Sequence, residues 1–296
     1  MNLALVTVLH DSAPELAVLL ASLGRLPEAP QVIVVDTCSK DGGAELARGH
    51  GAEVVELPGN PGFGAANNAG VARARHDVTV LINPDCELLD DGLAGLAAVA
   101  RRRDALFAPR LLGCDGRPQR SAHPLPGTGG ALATAALHPP WLPRPLRDRL
   151  EPWRADRAHT AGWAIAACLV ARTATLRRLG PFDPSQFLFY EDLDLGLCAR
   201  AAGVPTVVVP EVAVRHTGGH STGRAYGGEP HALLARRRHD VVRLRLGRRA
   251  AALDDAAQAV TFASRWAARA ALGRDRAREA AQLRAVVGVR ASAGES

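Results

Sequence analysis

The chain has 296 residues, of which 47% are apolar and 22% are charged, proportions typical of a globular protein with enough length for one large domain or two smaller ones. The longest uncharged apolar stretch, residues 161–171, is too short for the ~20 residues that cross a bilayer, so any membrane contact must be peripheral. The net charge of +6 is weak evidence for a nucleic-acid partner, because every basic residue except Lys40 is Arg, a bias that genomic base composition also produces.

The first 75 residues alternate apolar segments with helical ones. The N-terminal segment has no basic region and runs directly into His10, so we predict a first strand and not a signal peptide. Ser12 and Glu15 have the spacing of a capping box, with a proline between them, which predicts a helix to about Leu23. The predicted strands are residues 3–9, 31–36 and 52–57, and a loop rich in Gly and Asn then leads into a helix that ends near Arg75.

The fourth apolar segment, residues 78–82, has no polar residue alternating with the apolar ones, which predicts a strand buried on both faces. Pro84 ends it, because proline has no N–H to donate. Asp85 follows the strand at the carboxyl end, where ligands bind in open α/β sheets. The alternative is that Asp85 caps the next helix, but Asp90 or Asp91 is better placed for that. Four βα units predict a right-handed, largely parallel sheet.

The rest of the chain predicts further strands, one irregular segment and a helical C-terminus. Residues 123–150 are crowded with Pro, Gly and Ala around Trp141, which predicts an irregular loop near the active face. A helix is predicted to open at Glu191 and Asp192 and to end near Gly203. The other predicted strands are 106–112, 163–170, 204–209 and 212–214, and the other predicted helices are 173–179 and Arg-rich helices over 229–290, before a disordered end.

Acidic residues stand at the ends of predicted strands or at the starts of helices. A phosphorylated, metal-bound ligand would explain Asp36, Asp85 and the pair Glu191 and Asp192 together, because Mg²⁺ and Mn²⁺ prefer carboxylate oxygens and ligand phosphates. The glycines of residues 59–68 let the backbone approach a nucleotide closely. Taken alone, Asp36 has a simpler role, which is to accept a hydrogen bond from an amide in the following turn.

The order and spacing of these motifs give the strongest signal. The segments that carry it are 34–36 with Ser39, Asp41 and Gly42; 60–68; 83–85; 109–112 with Asp115, Gly116, Arg117 and Gln119; 180–183; 187–195; and His216. With these segments the chain resembles the family 2 glycosyltransferases of the GT-A fold, and among them bacterial rhamnosyltransferase-like members, over residues 3–222. The resemblance implies an α/β fold with a mostly parallel central sheet flanked by helices.

The resemblance implies a nucleotide-sugar site. Asp36 would hold the base or ribose, and Asp85 corresponds to the last acid of the Asp-x-Asp metal motif, in which Asn83 replaces the first acid and removes one charge. His216 falls where relatives often supply a further ligand to Mg²⁺ or Mn²⁺, and the alternative is a histidine that bonds a neighbouring carbonyl at a strand end. The other residues implied to bind the nucleotide sugar are Leu9, Asn60, Gly62, Phe63 and Asn68.

The resemblance also implies the catalytic residues. Asp192 matches the general base of the family, since an inverting transfer needs one group that takes the acceptor hydroxyl proton. Glu191 would position that base or share its proton, and Glu191 and Trp163 would bind the acceptor. The structural alternative is that acids in the first turn of a helix are ordinary partners of the helix dipole.

The implied activity is inverting transfer of a sugar from a nucleoside diphosphate donor to a cell-envelope glycan or a polyprenyl-linked acceptor. L-Rhamnose from dTDP is the best single expectation. The alternatives are a non-catalytic nucleotide-sugar-binding protein and a sugar nucleotidyltransferase, although the latter normally carries a Gly-rich loop with basic residues after its first strand. Nucleic acid is not an expected partner, because no aromatic stacking platform accompanies the Arg-rich segment.

We predict a GT-A catalytic domain over residues 1–222 and an Arg-rich helical extension over residues 223–296. Arg residues interleave with Val and Leu between residues 235 and 250, and such a basic amphipathic helix can lie on anionic lipid. The alternative is a helix packed on the catalytic domain with a solvated basic face. Five scattered cysteines without ligand spacing predict a reduced, cytoplasmic protein, at the inner face of the plasma membrane if the helices bind lipid.

Overall fold

The computed structural model describes residues 3–136, 143–184, 188–218 and 229–293, and their contacts define two compact units. The first unit contains residues 3–123, 152–184 and 188–218, and the second contains residues 124–136, 143–151 and 229–293. The predicted boundary between residues 222 and 223 lies outside the described residues. The described residues between 124 and 151 group with the C-terminal helices and not with the sheet.

The first unit is an α/β unit. Its strands are β1 (Leu3–Leu9), β2 (Gln31–Asp36), β3 (Glu53–Glu56), β4 (Val78–Ile82), β5 (Cys86–Leu88), β6 (Leu106–Leu112), β7 (Ala122–His123), β8 (His159–Ala161), β9 (Trp163–Ala164), β10 (Cys168–Arg172) and β11 (Thr206–His216). Its α-helices are α1 (Ala13–Ser22), α2 (Gly43–Gly49), α3 (Phe63–Arg73), α4 (Gly92–Arg102), α7 (Thr173–Leu179) and α8 (Glu191–Ala201). The helices of the second unit are α5 (Gly129–Ala136), α6 (Arg144–Leu150), α9 (His231–Leu246), α10 (Arg248–Ala271) and α11 (Ala277–Ala293).

A nine-stranded sheet organises the first unit, in the order β3-β2-β1-β4-β10-β6-β11-β5, with β8 paired to β11. The strands β3, β2, β1 and β4 are parallel, as the four βα units predict. Strand β10 is antiparallel to both β4 and β6, and β11 is parallel to β6, so β4, β6 and β11 run in the same direction. The carboxyl ends of β1, β2, β4, β6 and β11 therefore face one edge of the sheet.

Apolar side chains cover both faces of this sheet. Every residue of β4 is buried, which confirms the strand predicted from its uninterrupted apolar run. Leu96 of α4 belongs to the core on one face, and Leu195 of α8 belongs to the core on the other. Helix α3 approaches β1 so closely that a Cβ on Gly70 would lie 2.3 Å from Cγ1 of Val6. The α/β class with flanking helices is thus confirmed.

The start of α1 differs from the capping-box prediction. Ser12 is the N-cap residue, but its side chain makes no capping hydrogen bond. The amide of Ala13 instead donates to Oδ2 of Asp41 at 2.6 Å, so a carboxylate from the β2–α2 connection satisfies this helix end. The prediction of a local cap was wrong because a partner 28 residues away competes for the same amide.

Three strand predictions also differ in detail. Residues 204–214 form part of one strand, β11, whose pairing with β6 shifts register between Val209 and Ala213, so the two predicted strands are one strand with an irregularity. The predicted strand over residues 163–170 is divided into β9 and β10. Strand β5 was not predicted, because its three residues are too few to show a period.

The second unit is helical in its described part. Helices α5 and α6 occupy residues for which an irregular loop was predicted, and Trp141 lies outside the described residues. The alanines of α5 explain that error, because alanine has the highest helix propensity. Arg238 of α9 donates two hydrogen bonds to Asp254 of α10, at 2.7 and 2.9 Å, and fixes the two helices together. Every helix that the structure describes is too short or too polar to span a lipid bilayer.

Candidate active site

Asp85 lies directly beyond the carboxyl end of β4, where the prediction placed it. Its backbone carbonyl accepts hydrogen bonds from the amide and the hydroxyl of Thr217, at 3.0 and 3.2 Å. Its side-chain Oδ2 accepts a hydrogen bond from the amide of Gly218 at 3.0 Å. The segment that follows β11 therefore fixes both the backbone and the carboxylate of Asp85.

The pairing of β5 with β11 brings His216 to this carboxylate. Cys86 pairs with His216 in the antiparallel register, and Nε2 of His216 lies 3.4 Å from Oδ1 of Asp85. Burial acts to raise the pKa of Asp85, but the hydrogen bond and charge of His216 and the Gly218 amide outweigh it and hold that pKa below its usual value. Asp85 is therefore an ionised carboxylate at neutral pH.

Gln119 fixes the orientation of the His216 ring. Its amide nitrogen donates to the backbone carbonyl of His216 at 2.7 Å, and its Oε1 lies 2.8 Å from Nδ1 of the same residue. A backbone carbonyl can only accept, so the amide nitrogen must face it and Oε1 must face Nδ1. Nδ1 therefore carries a hydrogen, and in the neutral ring the lone pair of Nε2 points at Asp85.

Two acceptors that face each other at 3.4 Å require a positive charge between them, which is either a second proton on the ring or a cation. The side-chain Oδ1 of Asn83, two residues before Asp85, is buried and has no hydrogen-bond partner, so it is a further oxygen available to a cation. These oxygen and imidazole donors fit Mg²⁺ or Mn²⁺. The residues present therefore fit a divalent ion.

Cys86 lies beside this group, with its sulfur within 4.8 Å of the Asp85 and His216 donor atoms. Burial raises the pKa of its thiol well above the usual value, and its Sγ donates to the carbonyl of Ala167 at 3.2 Å. A metal ligand must be the thiolate, so Cys86 is not part of the donor set.

The ends of β1 and β2 place the predicted nucleoside-binding residues at the same edge of the sheet. Asp36 is buried and accepts a hydrogen bond from the Ser39 amide at 3.1 Å, which is the simpler role foreseen for it. The side chain of Leu9 is fully buried, and its carbonyl accepts from the amide and hydroxyl of Thr37, so Leu9 exposes no surface to a ligand. Strand β1 separates β2 from β4, so Asp36 and Asp85 stand about two strand spacings, ~10 Å, apart across this edge.

The Gly/Asn-rich loop has a built structure. Oδ1 of Asn60 accepts from the Gly62 amide at 2.9 Å, and Gly62 has φ +94, a conformation that favours glycine. The ring of Phe63 packs edge-on against Phe182, with centroids 5.7 Å apart. Asn68 donates to the carbonyl of Phe182 at 2.7 Å and accepts from its amide at 3.1 Å, so the structure gives Asn68 a partner in the backbone.

The start of α8 carries the predicted catalytic acids. Glu191 is buried, whereas Asp192 is half-buried and its Oδ1 accepts from the amide of Leu193 at 2.8 Å. The two residues before them, Phe189 and Tyr190, both have left-handed backbone, with φ 75 and 64. Such conformations are strained for residues other than glycine and persist where the surroundings impose them, often at functional sites.

Trp163 connects this helix to the rest of the site. Its ring stacks on His123 with centroids 4.3 Å apart and meets the Tyr190 ring edge-on at 6.3 Å. The indole is 3% exposed, and its N–H has no hydrogen-bond partner, which is unusual for a buried donor. Trp163 and Glu191 are therefore brought together through Tyr190, as their common assignment to the acceptor requires.

A chain of direct contacts joins the two ends of the site. The Ser121 amide donates to the carbonyl of Gln119, and the Ile165 amide donates to the carbonyl of Ser121. Strands β7 and β9 then pair, with His123 opposite Trp163. Sequence reasoning found Gln119 only as a motif residue and missed Thr217 and Gly218, because their contacts with His216 and Asp85 depend on sheet register.

The comparisons with known proteins agree on one family. Residues 4–167 match the family described as Glycosyl transferase family 2. N-acetylglucosaminyl-diphospho-decaprenol L-rhamnosyltransferase of Mycobacterium tuberculosis is 31% identical to this chain over 243 residues, which cover 75% of this chain and 78% of that relative.

Solved structures share the fold. A mannosyltransferase, PcManGT from Pyrobaculum calidifontis in complex with GDP-Man and Mn²⁺, aligns with a TM-score of 0.58 and 14% identity, over 97% of this chain and 80% of its own. GalNAc-T7 with UDP, GalNAc and Mn²⁺ aligns with a TM-score of 0.61 and 16% identity, over 94% of this chain and 53% of its own. This likeness shows the fold, which is GT-A, as the resemblance implied.

Proposed function

The chain belongs to glycosyl transferase family 2, and from this membership we propose that it moves an L-rhamnosyl group from a nucleoside diphosphate donor to a lipid-linked acceptor, with inversion at the anomeric carbon. The relative that is 31% identical supports this choice, since its name gives rhamnosyl transfer to N-acetylglucosaminyl-diphospho-decaprenol. The expected donor is dTDP-rhamnose, and the expected acceptor group is a hydroxyl of a polyprenyl diphosphate-linked sugar.

The observation that carries the proposal is the junction of Asp85 and His216 at the carboxyl edge of the sheet, with the unpaired Oδ1 of Asn83 beside it. Asp85 and His216 would hold a Mg²⁺ or Mn²⁺ ion, and Asn83 would bind the ion or the donor diphosphate. A divalent cation bound there would neutralise the negative charge that develops on the departing nucleoside diphosphate.

The residues of this chain would divide the reaction between them. Asp192 takes the proton of the acceptor hydroxyl while the bond from the acceptor oxygen to the anomeric carbon forms and the bond to the leaving phosphate oxygen breaks. Glu191 and Trp163 position the acceptor. Asp36 holds the nucleoside. Of the other residues assigned to the donor, Asn60, Gly62, Phe63 and Asn68 shape the loop that lines its pocket, and buried Leu9 acts only through the backbone it supports.

The test compares Asp192→Asn with the wild type, using dTDP-rhamnose and a short-chain polyprenyl diphosphate-linked N-acetylglucosamine. Turnover should fall by about 10²-fold or more, while calorimetric donor affinity stays within about threefold. Asp91→Asn is the matched control, because Asp91 is an exposed acid at the start of α4 whose side chain makes no capping bond. NMR of the product should show an anomeric configuration opposite to that of the donor.

Retained configuration or near-normal turnover by Asp192→Asn would overturn the proposed mechanism. Donor binding with no transfer or hydrolysis by the wild-type protein would instead indicate a nucleotide-sugar-binding protein. Formation of dTDP-rhamnose from a nucleoside triphosphate and a sugar phosphate would indicate a nucleotidyltransferase.

A further inference from the structure

The joint between α9 and α10 exposes a basic and apolar surface in the second unit. The seven residues 243–249, Arg-Leu-Arg-Leu-Gly-Arg-Arg, are all exposed, and we call this segment the basic tip. It carries four arginines and no acidic residue. Leu244 is 65% exposed and Leu246 is 38% exposed, so the apolar side chains of the tip face solvent together with the charges.

The tip differs from the amphipathic helix that the sequence predicted over residues 235–250. Val241 and Val242, which would form the apolar face of such a helix, are buried within the protein and cannot lie in a bilayer. The exposed apolar residues are confined to the last turn of α9. The surface available to a partner is therefore the end of a helical pair and not the side of one helix.

Packing within the second unit holds the base of the tip in place. Arg238 and His239 of α9 bond to Asp254 and Asp255 of α10, the latter pair at 2.8 Å. These pairs lie within about two turns of the tip on either helix. Gly127, whose φ is +67, packs against Ala250 so tightly that a Cβ there would lie 2.7 Å from the Ala250 carbonyl oxygen. The tip thus protrudes from a braced support.

We propose that the basic tip docks on an anionic lipid surface, with its arginines at the phosphate headgroups and Leu244 and Leu246 at the boundary with the acyl chains. Charge complementarity supports the arginines, and exposed leucines between them match the depth of an interfacial anchor. The partner fits the proposed function, on which this inference rests, because a polyprenyl-linked acceptor resides in a membrane.

Flotation with vesicles tests the charges. The full-length protein should float with vesicles of 30% phosphatidylglycerol in phosphatidylcholine at low salt, and should not float with phosphatidylcholine alone. Changing the four arginines of the tip to Gln should lower the partition constant by about 10²- to 10³-fold, because each basic residue near an anionic surface contributes roughly fivefold. The matched control changes four exposed arginines of the first unit to Gln, namely Arg101, Arg102, Arg103 and Arg117, and should float normally.

A second variant, Leu244→Ser with Leu246→Ser, tests the apolar part without changing the charge. It should weaken flotation by about tenfold or more at every salt concentration, because the leucines contribute by burial and not by charge. Equal loss of flotation in the matched arginine control would overturn the proposal, as would binding of a random single-stranded RNA with no flotation of the wild type.

Donor hydrolysis, measured without vesicles, separates this proposal from the proposed function. Both tip variants should release nucleoside diphosphate at the wild-type rate, while transfer to a vesicle-embedded acceptor falls with flotation. Normal hydrolysis with unchanged transfer from both tip variants would overturn the docking proposal alone, and absence of hydrolysis by the wild type would count against the proposed function alone.

Discussion

Replacing Gln119 with Met tests how the site holds His216. Methionine has a similar length and volume but removes both hydrogen bonds that the amide makes to His216. Each such bond contributes roughly 0.5–1.5 kcal/mol, so the loss of both corresponds to about 1–3 kcal/mol. At 1.4 kcal/mol for each factor of ten, Mn²⁺ affinity should fall by roughly 5- to 150-fold. This range agrees with the ~10- to 100-fold cost of losing an outer-shell partner of a metal-binding histidine.

Calorimetric titration of Mn²⁺ in the presence of dTDP measures that affinity without any turnover. The ¹⁵N NMR signals of the His216 ring give an independent reading, because they report which nitrogen carries the hydrogen. The wild type should show hydrogen on Nδ1, and Gln119→Met should show a mixture of the two neutral forms. Gln119→Glu restores an acceptor opposite Nδ1 and should recover part of the affinity.

Gln31→Met is the matched control for this experiment. Gln31 also makes side-chain hydrogen bonds, to Glu53 and to the backbone of Arg73 and Arg75, but none of them reaches the site. Its Mn²⁺ affinity should equal that of the wild type. If a folded Gln119→Met protein binds Mn²⁺ as tightly as the wild type does, the amide does not prepare His216 for a cation, and the reasoning is refuted.

Two further predictions concern the sheet and its edges. Gly70→Ala should lower the free energy of unfolding by about 1–3 kcal/mol in urea titrations, because its Cβ would overlap Val6, whereas Gly95→Ala, in open space on α4, should raise it by about 0.5–1 kcal/mol; equal effects would contradict the packing argument. The hydroxyl of Thr175 and the guanidinium of Arg178 lower the pKa of Asp104, so its ionised form stabilises the fold above about pH 4 and this stabilisation is lost as the pH falls through the lowered value. Asp104→Asn should therefore lower stability by at most about 1 kcal/mol at pH 7, and the difference from wild type should shrink below about pH 4 in thermal unfolding.

The strands of the first ninety residues were predictable because their signal is local. Residues 31–36 and 78–82 are apolar runs that end in polar residues, and the structure places both strands at those bounds. Strand β5 and the shift within β11 were not predictable, because their bounds depend on pairing between segments more than 120 residues apart. Local periodicity contains no information on such pairing.

The candidate site divides in the same way. Asp85 could be assigned from its place after a strand, and His216 could be assigned from the family resemblance. The alternative for His216, a ring bonded to a neighbouring carbonyl, is not what the structure shows, since its ring nitrogens face Gln119 and Asp85. The role of Gln119 required coordinates, because only the geometry shows that one amide serves both the ring and the backbone of the same histidine.

The two sides of the site are held by different physical means. On the cation side, sheet register and backbone amides fix Asp85 and His216, so their geometry follows from the most stable part of the fold. On the side of Asp192, the helix begins after Phe189 and Tyr190, two left-handed residues that cost roughly 1–3 kcal/mol each. Packing must offset that cost, and the edge of Tyr190 against the buried Trp163 ring is one contact that does so. Trp163 therefore supports the start of α8 whether or not it touches the acceptor, and a change at Trp163 should disturb Asp192 as well.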